Sequence, residues 1–292
     1  MGVSMATARV WVERWERQQE RYAVDREERF TVIGDVLEHT TADHDRPLLL
    51  DLGCGPGSLA ARLAGRFPDA EIVATDMDPV LLELGRTHHA DAARYVDTVI
   101  GEEGWVEALG LERPLDAAVS TTALHYLPEP ALLRTYRALA SLLRPGGVLV
   151  NGDHFPPDVV TCSELTAHVG RRRTERAGGS SREDWRSWWD AAAREPELAD
   201  LLAERRRRHT DHAGSGGDEQ VTVGRHAALL RQAGFAHVMP VWQFGDSAVL
   251  VAVMDHRRGA RPPVGARQRE ATAASESQTH EDLVPVVTGR HP

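Results

Sequence analysis

Residues 48–57 constrain this chain more than any other stretch, because they join a buried strand to a turn suited only to glycine. The stretch reads L-L-L-D-L-G-C-G-P-G, an apolar run followed by glycines at alternate positions 53, 55 and 57. Residues 58–67 are amphipathic and predict a helix. Glycine permits positive φ angles and a close approach of a ligand to the backbone, and the first turn of a helix offers free N–H groups. The stretch therefore predicts a strand, a ligand-binding turn and a helix.

A second strand with an acidic end lies at the spacing expected for a β-α-β unit. Residues 71–75 (E-I-V-A-T) predict a short buried strand that ends at Asp76, 19 residues after Gly57. An acid at this position commonly binds the hydroxyls of a ribose. The spacing D-x-G-x-G-x-G differs from the G-x-G-x-x-G of dinucleotide sites, and Asp51 would repel a pyrophosphate but suit a positively charged ligand. The pattern predicts a nucleoside cofactor with a cationic or amine-bearing part.

These motifs resemble those of the class I S-adenosylmethionine-dependent methyltransferases. The D-L-G-C-G-P-G at 51–57 resembles that family's first motif, Asp76 with the following M-D-P resembles the second, and L-R-P-G-G-V-L-V at 143–150 resembles the turn into the fifth strand. The resemblance extends over residues 26–255 in outline. It implies an α/β fold with a doubly wound, Rossmann-like, seven-stranded sheet whose last strand is antiparallel, and S-adenosyl-L-methionine as cofactor. In the alternative interpretation the glycines form only a structural turn.

The resemblance also implies a set of cofactor contacts. Family members usually place near position 99 an acid that binds the adenine amino group, whereas this chain has Val99, so backbone groups are the expected contacts there. An arginine of the N-terminal helical segment could pair with the methionine carboxylate of the cofactor, although R-E-E-R at 26–29 is more often a solvated helix face with local ion pairs. The predicted contacts are Tyr22, Arg29, Asp51, Gly53, Cys54, Gly55, Asp76, Met77, Val99, Ile100, Ser120 and Thr121.

Histidine and acid side chains after the fourth and fifth predicted strands provide candidate bases. Residues 115–120 and 148–151 predict these strands, and His125 follows the first of them, while Asp153 and His154 follow the second. Carboxyl ends of parallel strands face the ligand crevice, and a histidine or an acid-histidine pair can take a proton from a bound nucleophile. The stretch T-A-L-H-Y-L resembles a segment beside the cofactor's sulfonium in small-molecule methyltransferases. A histidine bonded only to neighbouring backbone is the alternative.

Residues 155–218 resemble the common core least and predict a helical cap inserted after the fifth strand. Three tryptophans at 185, 188 and 189 lie in its helical patches. They either line an apolar or aromatic substrate pocket or only dock the cap on the core. The predicted pocket residues are Tyr126, Glu164 and Trp185.

The remaining segments complete the predicted domain organisation. Residues 1–46 form a helical lid, since residues 6–39 have apolar positions at helical spacing. The core comprises 47–154 and 219–258 and ends in two strands joined by the short turn at 245–246. Residues 259–292 are rich in Arg, Pro, Ala, Ser and Thr without periodicity, which predicts a disordered tail.

Composition excludes several classes of function. The formal net charge of −10 argues against a nucleic-acid substrate, which favours a basic face. The arginines at 205–208 support a macromolecular acceptor, but flanking acids favour a solvated helix end. A disulfide between the two cysteines is not expected, because Cys54 lies inside the glycine turn. The adjacent histidines at 88 and 89 have no third ligand at the spacing of a metal site. Since no apolar run approaches 18 residues, we expect a cytoplasmic protein without membrane or nucleic-acid partners and without a metal.

Together these features predict an enzyme that transfers a methyl group to a small, apolar or aromatic acceptor. The whole-chain pattern is similar to that of bacterial specialised-metabolite methyltransferases of natural-product biosynthesis, and among these the enzymes that methylate an indole-type carbon are one match. O- or N-methylation of another small metabolite is an alternative. A non-catalytic cofactor-binding protein is an alternative of another class, motivated by Val99. The N-terminal helix could join two copies in a homodimer, although a monomer is also compatible with the sequence.

Overall fold

The computed structural model describes residues 2–23, 25–178, 182–211 and 221–256, and the predicted tail at 259–292 lies outside these ranges. Within them the helices are α1 (Met5–Gln19), α2 (Arg26–Thr40), α3 (Ser58–Arg66), α4 (Pro79–His88), α5 (Trp105–Ala108), α6 (Glu129–Leu142), α7 (Val160–Arg176), α8 (Trp185–Ala192), α9 (Ala199–Asp211) and α10 (Val223–Ala233). The strands are β1 (Leu48–Leu52), β2 (Glu71–Asp76), β3 (Arg94–Asp97), β4 (Leu115–Thr121), β5 (Leu143–His154), β6 (His237–Phe244) and β7 (Ser247–Val253).

The strands form one seven-stranded sheet in the order β3-β2-β1-β4-β5-β7-β6. Neighbours among β1 to β5 pair in parallel, whereas β7 pairs antiparallel with both β5 and β6. The predicted fold class, a doubly wound sheet that ends in an antiparallel strand, is confirmed. The chain reverses its direction of winding between β1 and β4, so a crevice opens at their carboxyl ends, where ligands bind in such sheets.

Strand β1 is buried on both faces, as its nearly continuous apolar sequence predicts. Leu50 and Leu52 face the cluster that includes α6 and α10 residues, while Leu49 faces the cluster built with α2 and α3. Full burial of such a leucine contributes roughly 2 kcal/mol. Because side chains alternate along a strand, Asp51 lies on the same face as Leu49. This places a buried carboxylate on the face of the sheet that α2 and α3 cover, at the carboxyl end of β1.

The predicted N-terminal helical segment is two helices, because its two halves pack on different surfaces. Helix α2 lies on the sheet, where Phe30, Ile33 and Leu37 are buried against β-strand residues. Helix α1 instead packs on α4 and α8 through a cluster that contains Trp11 and Val12. The change of partner requires a change of chain direction between residues 19 and 26.

The region predicted as a cap divides in the same way. Helix α7 lies beside β6 and the turn between β6 and β7, where Gly245 approaches the backbone of Gly170. Helices α8 and α9 pack on α1 and α4, and Trp188 is fully buried with its ring 5.3 Å from Trp11 and 5.2 Å from Trp15. Docking is therefore the role of Trp188, as one of the two interpretations of the tryptophans predicted.

Two strands differ in length from the sequence prediction. Strand β5 begins at Leu143 rather than at 148, because a register shift between Leu115 and Ala117 of β4 accommodates the extra residues. Gly146 within this irregular part has a φ of 75°, which favours glycine. The sequence Y-V-D-T-V-I at 95–100 predicts a strand that continues to Ile100, but strand β3 ends three residues earlier, at Asp97. The candidate adenine contacts therefore lie in a loop rather than in the strand.

Candidate active site

The glycine turn after β1 is required by the neighbouring strands as well as by its own dihedral angles. Gly53, Gly55 and Gly57 have φ angles of 69°, 54° and 81°, which other residues rarely adopt. A Cβ on Gly53 would lie 2.2 Å from the Cβ of Ala123, and one on Gly57 would lie 2.2 Å from the hydroxyl of Tyr95. The turn therefore presses its backbone against segments that follow β3 and β4.

Two carboxylates lie at this turn with different hydrogen bonding. Asp76 accepts hydrogen bonds from the N–H of Gly55 at 2.8 Å and of Asp78 at 2.9 Å. The Asp51 carboxylate is 1% exposed, and neither oxygen makes a hydrogen bond of normal geometry within the described residues. Burial raises the pKa of Asp51 to about 7 against the opposing effect of the Ala60 N–H, and the nearby charge of Asp76 raises it further.

Burial likewise raises the pKa of Asp76 to about 6, although its backbone hydrogen bonds oppose the shift. No arginine or histidine in the part of the chain that the structure describes forms an ion pair with Asp51 or Asp76. The turn thus contains two acids without a basic side chain to neutralise them. This electrostatic arrangement favours a ligand that carries positive charge.

A histidine and an aspartate meet at the carboxyl ends of β4 and β5. His125 lies in a short 3-10 turn at residues 124–126, and its Nδ1 is 2.9 and 3.0 Å from the two carboxylate oxygens of Asp153. Asp153 is 1% exposed and also accepts a hydrogen bond from the His154 N–H at 2.8 Å. With Nδ1–H donating to Asp153, the Nε2 of His125 carries the lone pair and no described residue bonds to it. This arrangement can take a proton from a bound nucleophile.

His154, the other candidate histidine, has both ring nitrogens engaged. Arg29 Nη2 lies 3.0 Å from His154 Nε2, and because a guanidinium only donates, Nε2 must accept. The proton then sits on Nδ1, which is 3.5 Å from a carboxylate oxygen of Asp246. These contacts favour a structural role for His154 and leave His125 as the better candidate base.

Arg29, a predicted cofactor contact, is completely buried between α2 and the sheet. Its Nε and Nη2 donate to the Ser247 hydroxyl at 3.0 and 2.8 Å, and a longer contact of 3.4 Å reaches the carbonyl of Gly152. Burial lowers the pKa of Arg29, and the charges of Asp25, Asp153 and Asp246 oppose that shift. The guanidinium thus holds the end of β5 that carries Asp153.

The backbone between β4 and His125 is strained. Thr122 has a φ of 50°, in the left-handed region that non-glycine residues seldom occupy, and its N–H donates to the Gly152 carbonyl at 3.1 Å. Such strain costs about 1–3 kcal/mol and persists only where surrounding structure enforces it. Here it turns the chain so that His125 faces Asp153.

Three exposed aromatic side chains come from the segment between α1 and α2, the 3-10 turn after β4 and helix α8. Tyr22 and Trp185 are 48% and 44% exposed, and the Tyr22 hydroxyl accepts a hydrogen bond from the backbone N–H of Trp185 at 2.9 Å. Tyr126 is 68% exposed, with its ring centroid 4.2 Å from that of His125. Partial desolvation raises the pKa of Tyr126, and the charges of Asp153 and Asp76 and the hydroxyl of Tyr22 add to the shift. Tyr126 therefore lies within electrostatic range of Asp153, Asp76 and Tyr22.

The other predicted site residues occupy less distinctive positions. Ser120 donates to the Leu52 carbonyl at 2.9 Å and Thr121 ends β4, while Val99 and Ile100 are partly buried in the loop after β3. Glu164 is exposed on α7 and lines an open cavity whose described lining residues all belong to that helix. The structure shows no contact in the described residues between Glu164 and the strand ends.

Sequence reasoning missed two arginines of α9 that cover the ends of β2 and β3. Arg208 contacts both carboxylate oxygens of Asp97 at 2.7 and 3.0 Å and donates to the Met77 carbonyl at 3.0 Å. Arg205 pairs with Asp78 at 2.6 Å and stacks 3.7 Å from the Trp189 ring. The interpretation of the 205–208 run as a solvated helix end is therefore wrong for these two residues. No local signal identifies their contacts with Asp78 and Asp97, because these partners lie 111 or more residues away in the chain.

Sequence reasoning also missed the role of Trp15 in α1. Its ring atoms lie 3.8 and 4.0 Å from the position of a Cβ on Gly55, so α1 covers the glycine turn directly. The same ring packs on Trp188 of α8. Trp15 of α1 therefore contacts both the glycine turn and α8.

Comparison with known proteins agrees with this geometry. A family model described as a methyltransferase domain matches residues 49–147, which include the glycine turn, both acids and the end of β4. The chain contains a class I methyltransferase domain. It is of the S-adenosylmethionine-dependent type, and the family predicted from the motifs is confirmed.

Curated relatives match part of the chain. A trans-aconitate 2-methyltransferase of Methylobacterium radiotolerans is 36% identical over 123 residues, 42% of this chain and 44% of that protein. A ubiquinone biosynthesis O-methyltransferase of Xanthomonas campestris is 37% identical over 103 residues, 35% of this chain and 40% of that protein. The chain thus spans less than half the length of these relatives.

Solved structures share the fold of the methyltransferase domain. An O-methyltransferase family protein from Burkholderia thailandensis matches with a TM-score of 0.52 at 17% identity, covering 82% of this chain and 59% of that one. The CurJ carbon methyltransferase matches with a TM-score of 0.50 at 16% identity, covering 77% and 54%. At these identities the likeness concerns the fold alone. Across the described residues, no helix has the length and apolarity needed to cross a membrane, and no group of three or more potential ligand side chains could hold a metal ion.

Proposed function

We propose that this chain is an S-adenosylmethionine-dependent methyltransferase that methylates a small aromatic acceptor, with His125 as the general base. The His125–Asp153 pair carries the proposal, because it presents a free ring nitrogen at the carboxyl ends of β4 and β5. The relatives that bear methyltransferase names support the reaction class.

The residues of the glycine turn fit the proposed cofactor. Asp76 is placed at the strand end where an acid binds ribose hydroxyls, and the unpartnered carboxylate of Asp51 suits a ligand with positive charge. Backbone groups of Val99 and Ile100 are available in the loop after β3 for an adenine ring. When bound, S-adenosyl-L-methionine supplies an electrophilic methyl group on a sulfonium. The chain's own residues must then orient the acceptor, exclude water and remove a proton.

His125 is placed to remove that proton. Asp153 fixes the tautomer by accepting from Nδ1, so the Nε2 lone pair faces away from the core. Proton removal by a positioned base typically contributes 10²–10⁴-fold in rate. A phenol would lose its O–H proton to Nε2, and an indole would lose its N–H proton as its carbon becomes nucleophilic. An indole-type carbon and an aromatic hydroxyl therefore both remain within the proposal.

An aromatic acceptor is favoured by three exposed rings, of which Tyr126 contacts His125 while Tyr22 and Trp185 are joined to each other by a hydrogen bond. Tyr22, Tyr126 and Trp185 come from three separate segments and keep large parts of their surfaces in solvent. Exposed aromatic side chains in one neighbourhood are unusual unless they contact a ligand, and ring stacking orients a planar molecule. The rings would hold the acceptor beside Nε2, and orientation of this kind supplies several kcal/mol of the barrier reduction.

Two measurements test the proposal. Calorimetric titration with S-adenosylmethionine and S-adenosylhomocysteine should show binding that Asp76→Ala weakens strongly, and absence of binding by either ligand would refute the cofactor assignment. A panel of indoles, phenols and aromatic carboxylic acids, with release of S-adenosylhomocysteine as readout, then identifies the acceptor.

With that acceptor, His125→Asn should lower turnover 10²–10⁴-fold while leaving cofactor affinity within about twofold. His237→Asn, at an exposed position on β6, is the matched control and should keep full activity. Equal turnover of the two variants would remove His125 from the mechanism. Binding without turnover on the entire panel would favour a non-catalytic protein.

A further inference from the structure

Helix α9 changes character along the face that it turns to the rest of the protein. Leu202, in its first half, is buried in the apolar cluster that α9 shares with α1, α4 and α8, whereas Arg205 and Arg208 follow at three-residue steps. Residues three apart lie on one face of a helix. The first half of α9 is therefore fixed by apolar packing, and the second half reaches the sheet through two guanidinium groups.

Arg208 bridges the ends of two neighbouring strands. Its Nη1 and Nη2 donate to the two carboxylate oxygens of Asp97 at 2.7 and 3.0 Å, and Nη1 also donates to the Met77 carbonyl at 3.0 Å. Asp97 ends β3, and its register partner on β2 is Asp76, the residue before Met77. The guanidinium thus contacts the backbone carbonyl that directly follows the acid assigned to the ribose under the proposed function.

Arg205 makes a second and more buried contact. Its Nε donates to one carboxylate oxygen of Asp78 at 2.6 Å, while the other oxygen accepts from the first N–H groups of α4 at 3.0 and 3.3 Å. The side chains of this pair are 17% and 9% exposed, against 27% and 36% for Arg208 and Asp97. Since separating a buried ion pair costs more than separating an exposed one, the Arg208–Asp97 pair is the one that opens more easily.

We propose that α9 closes the nucleoside end of the cofactor site, and that the Arg208–Asp97 pair controls how fast the cofactor enters and leaves. The proposal rests on the proposed function, because the ligand in question is the cofactor. The pair is closed in this structure, so both entry and exit require the second half of α9 to lift from the ends of β2 and β3. Arg208 is a positioning residue rather than a catalytic one, because it acts through the helix that it holds.

The strength of the pair suits this role. A partly exposed ion pair changes an equilibrium or a rate by about two- to fivefold and is weakened by salt. Glu204, one turn earlier on α9, also accepts from Arg208 Nε at 2.8 Å, but it belongs to the same helix and cannot hold α9 on the sheet. The apolar contacts of Leu202 keep the first half of the helix in place while the second half opens.

The test measures the rate constants for association and dissociation of S-adenosylhomocysteine with the full chain. Stopped-flow tryptophan fluorescence provides the signal, since Trp189 lies 3.7 Å from the guanidinium of Arg205, and calorimetry gives Kd separately. Arg208→Gln should raise both rate constants about two- to fivefold. Kd should stay within about twofold, because a contact present in both the free and the bound state does not change their difference.

Arg207→Gln is the matched control, because Arg207 lies on the same helix, is 73% exposed and pairs with Glu204 of that helix. Its rate constants should equal those of wild type. Arg208→Lys keeps the charge but cannot donate to both oxygens of Asp97 in the same geometry, so its rate constants should be intermediate. Asp97→Asn should act like Arg208→Gln, and the double variant should exceed neither, because both changes remove the same interaction.

Equal rate constants for Arg208→Gln and Arg207→Gln would overturn the proposal, while measurable binding would uphold the cofactor assignment. Faster dissociation alone, with a matching loss of affinity, would also overturn it, because Arg208 would then contact the ligand rather than control its passage. If Arg208→Gln fails to fold, wild type decides: both rate constants should rise between about 0.05 and 0.5 M NaCl, and constant values refute the proposal. Absence of binding by wild type removes the proposed function and this inference with it.

Discussion

The cofactor-free protein should become more stable when Asp51 is replaced by asparagine, although the change removes a residue of the proposed site. The pKa of Asp51 is about 7 in the folded chain, against 3.8 for an ordinary aspartate. One pKa unit corresponds to 1.36 kcal/mol, so the difference of about three units amounts to about 4 kcal/mol. Relaxation of the buried site reduces this figure, and we expect roughly 2–4 kcal/mol.

The sign follows from proton binding. Between pH 4 and pH 7 the folded protein holds a proton on Asp51 that the unfolded chain has lost, so the free energy of unfolding falls as the pH rises. The stabilising contribution of the neutral acid is complete below the unfolded pKa and is lost as pH rises to about 7. Asparagine cannot ionise, so the variant loses this pH dependence and should gain over wild type most clearly at pH 8.

The assay is urea unfolding of wild type and Asp51→Asn without ligand at several pH values from 4 to 8. The difference in the free energy of unfolding between the two proteins should grow by about 2–4 kcal/mol across this range. Asp116→Asn should behave oppositely and destabilise at pH 8, because it leaves Arg144 without its partner. A difference between wild type and Asp51→Asn that stays constant within about 0.5 kcal/mol would refute the reasoning.

Two further predictions concern the glycine turn and helix α9, which covers the ends of β2 and β3. Gly53→Ala should lower the free energy of unfolding by at least about 2 kcal/mol, because the residue has a φ of 69° and its Cβ would clash with Ala123. The control Gly65→Ala, at an open position on α3, should instead raise the free energy of unfolding by about 0.5–1 kcal/mol in thermal unfolding. A Gly53→Ala protein as stable as wild type would contradict the turn geometry. Arg208→Gln should change the free energy of global unfolding by less than about 1 kcal/mol, since the pair with Asp97 is partly exposed. It should nevertheless speed amide hydrogen exchange in α9 severalfold. Unchanged exchange would show that this pair does not hold the helix.

Long-range pairs explain why part of the candidate site could not be predicted from the sequence. His125 and Asp153 were both candidate bases, but only the parallel pairing of β4 with β5 brings them within 2.9 Å. His154 is an equal candidate base in the sequence, but in the structure the buried Arg29 donates to its Nε2. The distinction between the two histidines depends on side-chain contacts between residues far apart in the chain, which local patterns do not record.

The amino-acid sequence by itself determined the strand, the glycine turn and the order of the α/β elements, because hydrophobic periodicity and glycine positions act over a few residues. It also identified Asp51 and Asp76 as acids beside the turn. Only the tertiary structure decided that Asp51 has no hydrogen-bond partner of normal geometry among the described residues, that Trp15 covers the turn and that Arg208 pairs with Asp97. The reason is physical: burial, charge compensation and side-chain packing are properties of the surroundings that the folded chain assembles from distant segments.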